Sequence, residues 1–157
     1  MWKKIYDPSP GFQEAYSTKE MCNEALTPLL NYLQDKKICC PCDSDESAIV
    51  KWLKENTNSD IINFCTKDIT KKPAQDIMKK CDLIVTDPPF NEDGEIFVSF
   101  LTENDLQFVI FGHRKWKDLF GLEQHIIETH KVPIWEHVLR DGRPYKVIGQ
   151  WYKCIKE

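Results

Sequence analysis

The sequence predicts an α/β protein built on a mostly parallel sheet that ends in an antiparallel hairpin. Three observations lead there. Short all-apolar segments such as Leu83-Ile84-Val85 and Phe108-Val109-Ile110-Phe111 recur along the chain, amphipathic helical patterns alternate with them, and the end of the chain switches to two β-rich stretches. Strands that read as unbroken apolar runs are buried on both faces, which happens when helices cover both sides of a parallel sheet.

The first helix is expected to start at Ser17-Thr18-Lys19-Glu20, a hydroxyl followed three residues later by a glutamate, which is the capping-box form. Met21, Cys22, Ala25, Leu26, Leu29, Leu30 and Leu33 continue it on one apolar face, with Pro28 kinking or dividing it. Lys37 to Pro41 reads as a buried strand entering the loop 42–47. Ala48, Ile49, Trp52 and Leu53 form a second helical face that Asn56-Thr57-Asn58 terminates. Asp60 to Cys65 is a second strand, followed by a lysine-rich connection with room for a short helix. Asp82 to Thr86 is the third strand and Gln107 to Phe111 the fourth, with a helix over Glu95 to Thr102 between them. Residues 132–139 and 144–154 form the terminal pair, joined by Arg140-Asp141-Gly142-Arg143, whose Asp-Gly favours a tight turn.

At 157 residues the chain supports one domain over 1–157. With 41% hydrophobic, 29% charged and 11% aromatic residues it excludes wholesale disorder. Its apolar runs are far shorter than the roughly 18–20 residues of a membrane span. The polar opening Met1-Trp2-Lys3-Lys4-Ile5-Tyr6-Asp7 offers no signal sequence, so the expectation is a cytoplasmic protein, or one inside a host cell if viral, with no membrane partner. Seven cysteines, mostly on apolar strand or helix positions, fit reduced, buried thiols. Cys39 and Cys42 form a CxxC, but His125 and His130 lie far downstream with no spacing that makes them partners, so no metal is assigned.

The net charge is −4, unevenly spread: residues 1–109 carry 12 basic and 19 acidic side chains, and residues 110–157 carry 9 and 6. The basic C-terminal third is the expected surface for a polyanion.

The segment with chemical content is Asp87-Pro88-Pro89-Phe90, which follows a buried strand directly. In an open α/β sheet, ligands bind beyond the carboxyl ends of strands. Two prolines stiffen the backbone and remove two N–H donors, leaving a ledge of acceptors. An exocyclic aromatic amine is a poor nucleophile because its lone pair is delocalised. If the Asp87 carboxylate and the Pro88 carbonyl each accept one of its hydrogens, the nitrogen can move toward tetrahedral geometry, and its growing positive charge meets a negative group. Phe90 would stack on the base, worth roughly 1–3 kcal/mol. The plain alternative is a turn in which Asp87 bonds backbone amides and Phe90 fills the core.

This segment resembles the Asp/Asn-Pro-Pro-Tyr/Phe signature of the S-adenosylmethionine-dependent amino methyltransferases, chiefly the N6-adenine DNA methyltransferases of phage and restriction-modification type. The resemblance runs from about Tyr16 to Cys154, and only Asp87 to Phe90 is specific. It implies a Rossmann-like class I methyltransferase sheet, S-adenosylmethionine as cofactor, and transfer of its methyl group to the N6 amine of adenine, in DNA first and RNA second. Asp87, Pro88, Pro89 and Phe90 would be the catalytic segment. Pro41, Cys42, Asp43 and Ser44 would take the place of the first cofactor motif, Tyr16 and Thr18 would close over the methionine end, Asp68 would reach the ribose or adenine, and Asp87 would share in the cofactor site. The chain has no glycine between Gly11 and Gly94, where the family usually has a glycine turn; phage-like members carry a Pro-Cys-Asp-Ser-type segment instead. Asp43 could bind the cofactor's ammonium group or serve as helix N-cap with Glu46, and both roles stay open. The account requires a cavity beside Asp87 on the side of Pro41 and Asp43.

The length leaves no room for a separate target-recognition domain, so the expectation is either low specificity or specificity supplied by a partner protein or a homo-oligomer. Candidate phosphate contacts are Arg114, Lys115 and Lys117 after the fourth strand, and Arg140, Arg143 and Lys146 around the hairpin. Reaching an amine inside a duplex requires extruding the base, at a cost of a few kcal/mol, or a single-stranded target. Within the same chemistry, glutamine amide methylation usually goes with Asn at the first motif position and N4-cytosine methylation with Ser, so Asp87 favours adenine. The competing class is a methyltransferase-like protein that has lost catalysis and acts as a binding or partner subunit.

Overall fold

The computed structural model describes residues 17–64, 69–129, 134–138 and 144–156, with the backbone alone at 134–138 and 144–147. Helix α1 (Lys19–Leu26) is capped by Thr18, whose hydroxyl oxygen accepts the Met21 N–H at 3.2 Å. The cap is therefore one residue later than the Ser17-to-Glu20 pattern suggests, and the Ser17 hydroxyl is released for another partner. Pro28 divides the segment as expected, in the first turn of a 3₁₀ helix, Thr27–Leu29, where no N–H is needed. Cys22, Ala25 and Leu26 of α1 face the core, and α1 packs on α2 (Ala48–Asn56), with the Trp52 indole N–H donating to Asn23 Oδ1 at 2.5 Å.

The strands are β1 (Lys37–Cys40), β2 (Asp60–Asn63), β3 (Leu83–Thr86), β4 (Phe108–His113), β5 (Ile134–Val138) and β6 (Pro144–Cys154). They form one sheet in the order β2-β1-β3-β4-β6-β5. The pairs β1–β2, β1–β3 and β3–β4 are parallel, while β6 runs antiparallel to both β4 and β5. The predicted α/β sheet with a reversed terminal pair is thus present; the Asp-Gly turn joining β5 to β6 lies outside the described residues. β3 is buried along its whole length and β4 along all but its last residue, as the unbroken apolar runs require.

Between the strands lie α3 (Lys72–Lys79), the short helix expected in the lysine-rich connection, and α4 (Glu92–Glu103). α4 starts three residues earlier than its apolar periodicity indicates, because the Asn91 side chain caps it by accepting the Gly94 N–H at 3.2 Å. β4 runs on to His113, and the sequence reading missed α5 (Trp116–Leu119) and the 3₁₀ turn Glu123–His125, both too short to show a period. Among the described residues no helix is long and apolar enough to cross a membrane.

Candidate functional site

β1 lies between β2 and β3, so the strand order reverses there and the carboxyl ends of β1 and β3 lie side by side, the position where open α/β sheets bind ligands. Ile38 pairs with Leu83 and Cys39 with Ile84, so the two strands finish level. The turn after β1 and the segment Asp87–Phe90 after β3 are thereby brought together from positions more than 40 residues apart.

Three hydrogen bonds close that contact. The Cys42 N–H donates to Thr86 Oγ1 at 3.0 Å, the Thr86 hydroxyl donates to Asp43 Oδ2 at 2.5 Å, and the Asp87 N–H donates to the same Oδ2 at 3.4 Å. Asn63, at the end of β2, holds the turn from outside by donating to the Asp43 carbonyl at 3.3 Å and to Asp45 at 3.0 Å. Asp43 is fully buried, and its other oxygen, Oδ1, has no hydrogen-bond partner. Its alternative role as helix N-cap is not the one it takes, because Ser47 caps α2 by accepting the Val50 N–H at 3.2 Å. A buried carboxylate with an orphaned oxygen is costly unless something charged or hydrogen-bonding meets it. Burial, and next the charge on Asp87, push the Asp43 carboxyl well above its ordinary range, against the hydrogen bonds from Thr86 and the Asp87 N–H and the smallest contribution, from the Ser47 side chain.

Asp87 is differently held. The Ser17 N–H donates to Oδ2 and the Ser17 hydroxyl to Oδ1, both at 2.8 Å. Burial pushes the Asp87 carboxyl up to about 6, while the two Ser17 bonds pull it down. Of the two adjacent acids, the one with two donors is the better place for the negative charge, and the one with an orphaned oxygen the better place for the proton.

Phe90 corrects the sequence reading. Its ring is 3% exposed and sits among Phe111, His113 and Trp116, with centroids 5.7–5.8 Å away, filling the core as the plain alternative expects rather than standing free as a stacking platform. It also lines a cavity of about 720 Å³ with Glu95, His113, Lys115, Trp116, Asp118 and Leu119, a volume in the range of small-molecule sites. Pro41, Cys42 and Asp43 are buried, so the cavity that the motif lines opens at Phe90 and not on the Asp43 side where the sequence reading required it. Pro88 and Pro89 are buried as well, the ledge being pressed under the first turn of α4: a Cβ on Gly94 would stand 1.7 Å from the Pro89 carbonyl oxygen.

His113 and Trp116 were not singled out in the sequence; the signal that could have found His113 is its place at the carboxyl end of a buried strand. Its Nδ1 accepts the Lys115 N–H at 3.0 Å, and burial first, then the charges of Lys115 and Arg114, push its pKa down. The imidazole is therefore neutral at pH 7, with its proton on Nε2. The Tyr152 hydroxyl ties this bend down by donating to the His113 carbonyl at 2.7 Å.

Of the remaining sequence-predicted residues, Thr18 is committed to capping α1, and Ser44 lies in the turn with its hydroxyl oxygen accepting the Glu46 N–H at 3.3 Å. Arg114 and Lys115 are exposed beside the cavity and Lys117 is half-buried. Tyr16, Asp68, Arg140 and Arg143 lie outside the described residues, as does the side chain of Lys146. Cys39, Cys40 and Cys42 are buried, and among the described residues no group of three or more His, Cys, Asp or Glu could hold a metal ion.

Comparison of the chain with known protein families, curated proteins and solved structures gives no match. The functional reading therefore rests on the residues themselves.

Proposed function

We propose that this protein is an S-adenosylmethionine-dependent methyltransferase acting on the N6 amine of adenine, in DNA first and RNA second. The observation that carries the reading is the meeting of Asp43 and Asp87 at the point where the strand order reverses, one with an orphaned oxygen and the other held as an oriented carboxylate. A parallel sheet closed by a reversed strand is compatible with the class I methyltransferase arrangement that the Asp-Pro-Pro-Phe resemblance implies.

The residues fit the cofactor. S-adenosylmethionine carries a cationic ammonium group, and the unpartnered Oδ1 of Asp43, once its proton has left, is a buried acceptor that would receive it. Pro41, Cys42 and Ser44 flank Asp43 in the same turn. When bound, the cofactor supplies a methyl group activated by a positive sulfur. The chain's part is to hold the amine: Asp87 and the Pro88 carbonyl accept its two hydrogens, Phe90 and Trp116 wall the cavity for the base, and Arg114 and Lys115 stand where phosphates would run. Asp43 and Asp87 are buried without, among the described residues, the cavity on the Asp43 side that the sequence reading required, so cofactor binding requires the turn after β1 to open, and a turn that stays closed overturns the catalytic reading.

Calorimetry with S-adenosylmethionine and S-adenosylhomocysteine, followed by methyl transfer to DNA and RNA oligonucleotides with Asp87→Ala as control, tests the reading. Micromolar cofactor binding and transfer abolished by the substitution support it. The burial of both acids favours a second reading, a methyltransferase-like partner subunit without catalysis; no binding of either cofactor, nucleic acid present, would favour that one instead.

Asp43 gives a sharper expectation. A cation beside a carboxyl whose pKa is raised draws off its proton, so S-adenosylmethionine binding should be accompanied by proton release. The measurement is the dependence of binding heat on buffer ionisation enthalpy. Asp43→Asn should abolish the release and weaken the cofactor roughly 10- to 100-fold. Unchanged affinity in that variant would remove Asp43 from the cofactor site.

A further inference from the structure

We propose that Ser17 is a positioning residue for the amine-binding carboxylate: its backbone N–H and hydroxyl, each 2.8 Å from a different oxygen of Asp87, fix the plane of that group and leave one lone pair on each oxygen for the substrate. The inference rests on the transferase reading above and extends it to a residue 70 positions away from its partner.

The clamp is stiff because its base is stiff. Ser17 is 2% exposed and immediately precedes Thr18, the cap of α1, so its backbone is set by the first turn of a helix. That helix is in turn fixed by the buried Cys22, Ala25 and Leu26 and by the Trp52–Asn23 hydrogen bond to α2. A carboxylate held by two donors on a rigid element is pre-organised for an amine in a way that a solvated one is not.

Charge follows the same geometry. Among the described residues, the titratable groups that interact with Asp87 are Asp43 from the turn after β1, Cys22 from α1 and Cys40 from β1. Burial first, and neighbouring carboxylates next, push both thiols up, so neither carries charge at neutral pH. The competition for charge is therefore between Asp43 and Asp87, and Ser17 decides it for Asp87. Ser17→Ala removes one of the two donors and returns part of the preference to the protonated acid.

The test is a carboxyl-carbon NMR titration of Asp87 in the wild-type protein, Ser17→Ala and Ser17→Thr, run beside the pH dependence of methyl transfer by the same proteins. Ser17→Ala should move the Asp87 midpoint up by about one pH unit, move the rising limb of the rate profile with it, and leave the cofactor dissociation constant within about twofold. Ser17→Thr, which keeps the hydroxyl, should restore both midpoints. An unmoved Asp87 midpoint in folded Ser17→Ala overturns the clamp. A shifted midpoint with an unmoved rate profile overturns its use in catalysis while leaving the transferase reading intact. A wild-type protein that transfers no methyl group at any pH, with the titration still responding to Ser17, overturns the transferase reading and the catalytic use of the clamp together.

Discussion

Asp87→Asn should lower the proposed methyl transfer by roughly 10²–10³-fold, the scale of losing one oriented electrostatic contact at a reacting centre, while making the fold more stable at neutral pH. The two effects have one cause. The Asp87 carboxyl is pushed from an ordinary 3.8 up to about 6 by burial, so the folded chain holds this proton more tightly than the unfolded chain does. Below about pH 4 both states are protonated and the group is neutral toward stability. As pH rises from about 4 to 6 the unfolded state ionises first and stability falls; above 6 the folded protein carries the full cost of a buried charge, about 3 kcal/mol. Asparagine keeps an acceptor for the Ser17 N–H and a donor for the Ser17 oxygen but has no charge to bury. Urea unfolding of the two proteins should show a stability advantage for Asp87→Asn at pH 8 that shrinks toward zero at pH 4. An advantage independent of pH would mean that the charge at Asp87 is not what burial penalises.

Gly94→Ala should be the most damaging single-methyl change in the described structure. The added carbon would lie 1.7 Å from the Pro89 carbonyl oxygen and 3.1 Å from the Trp116 ring. The near atom is backbone between two fixed elements, so relief requires lifting α4 off the ledge. Alanine's better helix propensity, about 1 kcal/mol, works in the other direction. The net expectation is a loss of roughly 2–4 kcal/mol, or ~10 °C in Tm; on the proposed transferase reading, activity would be lost as well, because the displaced segment would no longer hold Asp87 and the Pro88 carbonyl in place. Calorimetric melting decides it: a variant within 1 °C of wild type is incompatible with so close a contact between helix and ledge.

The alternation of strands and helices was legible because burial on both faces imposes apolar runs on β3 and β4, and a single buried face imposes a helical period on α1 and α2. The Asp-Pro-Pro-Phe ledge was legible too, since proline acts on its own backbone whatever surrounds it. Local pattern also misled: Ser17 and Thr18 are both able to cap α1, and Asp43 and Ser47 both able to cap α2. Which hydroxyl or carboxylate takes the cap depends on what else competes for it. Ser17 is claimed by Asp87, and Asp43 by Thr86 and the Asp87 N–H, so Thr18 and Ser47 are left to cap.

By itself, then, the sequence determined the order and type of the main elements, and the stiffness and acidity of the segment after β3. Only the tertiary structure decided that β1 lies between β2 and β3, that Ser17 grips Asp87 across 70 residues, that Phe90 joins an aromatic cluster, and that α4 rests on the Pro89 carbonyl through Gly94. The physical reason is range. Dihedral preference and hydrophobic period are written in neighbouring residues, whereas the pairing of two buried acids, and the donor that assigns the charge to one of them, arise when strand order brings distant turns to the same end of the sheet.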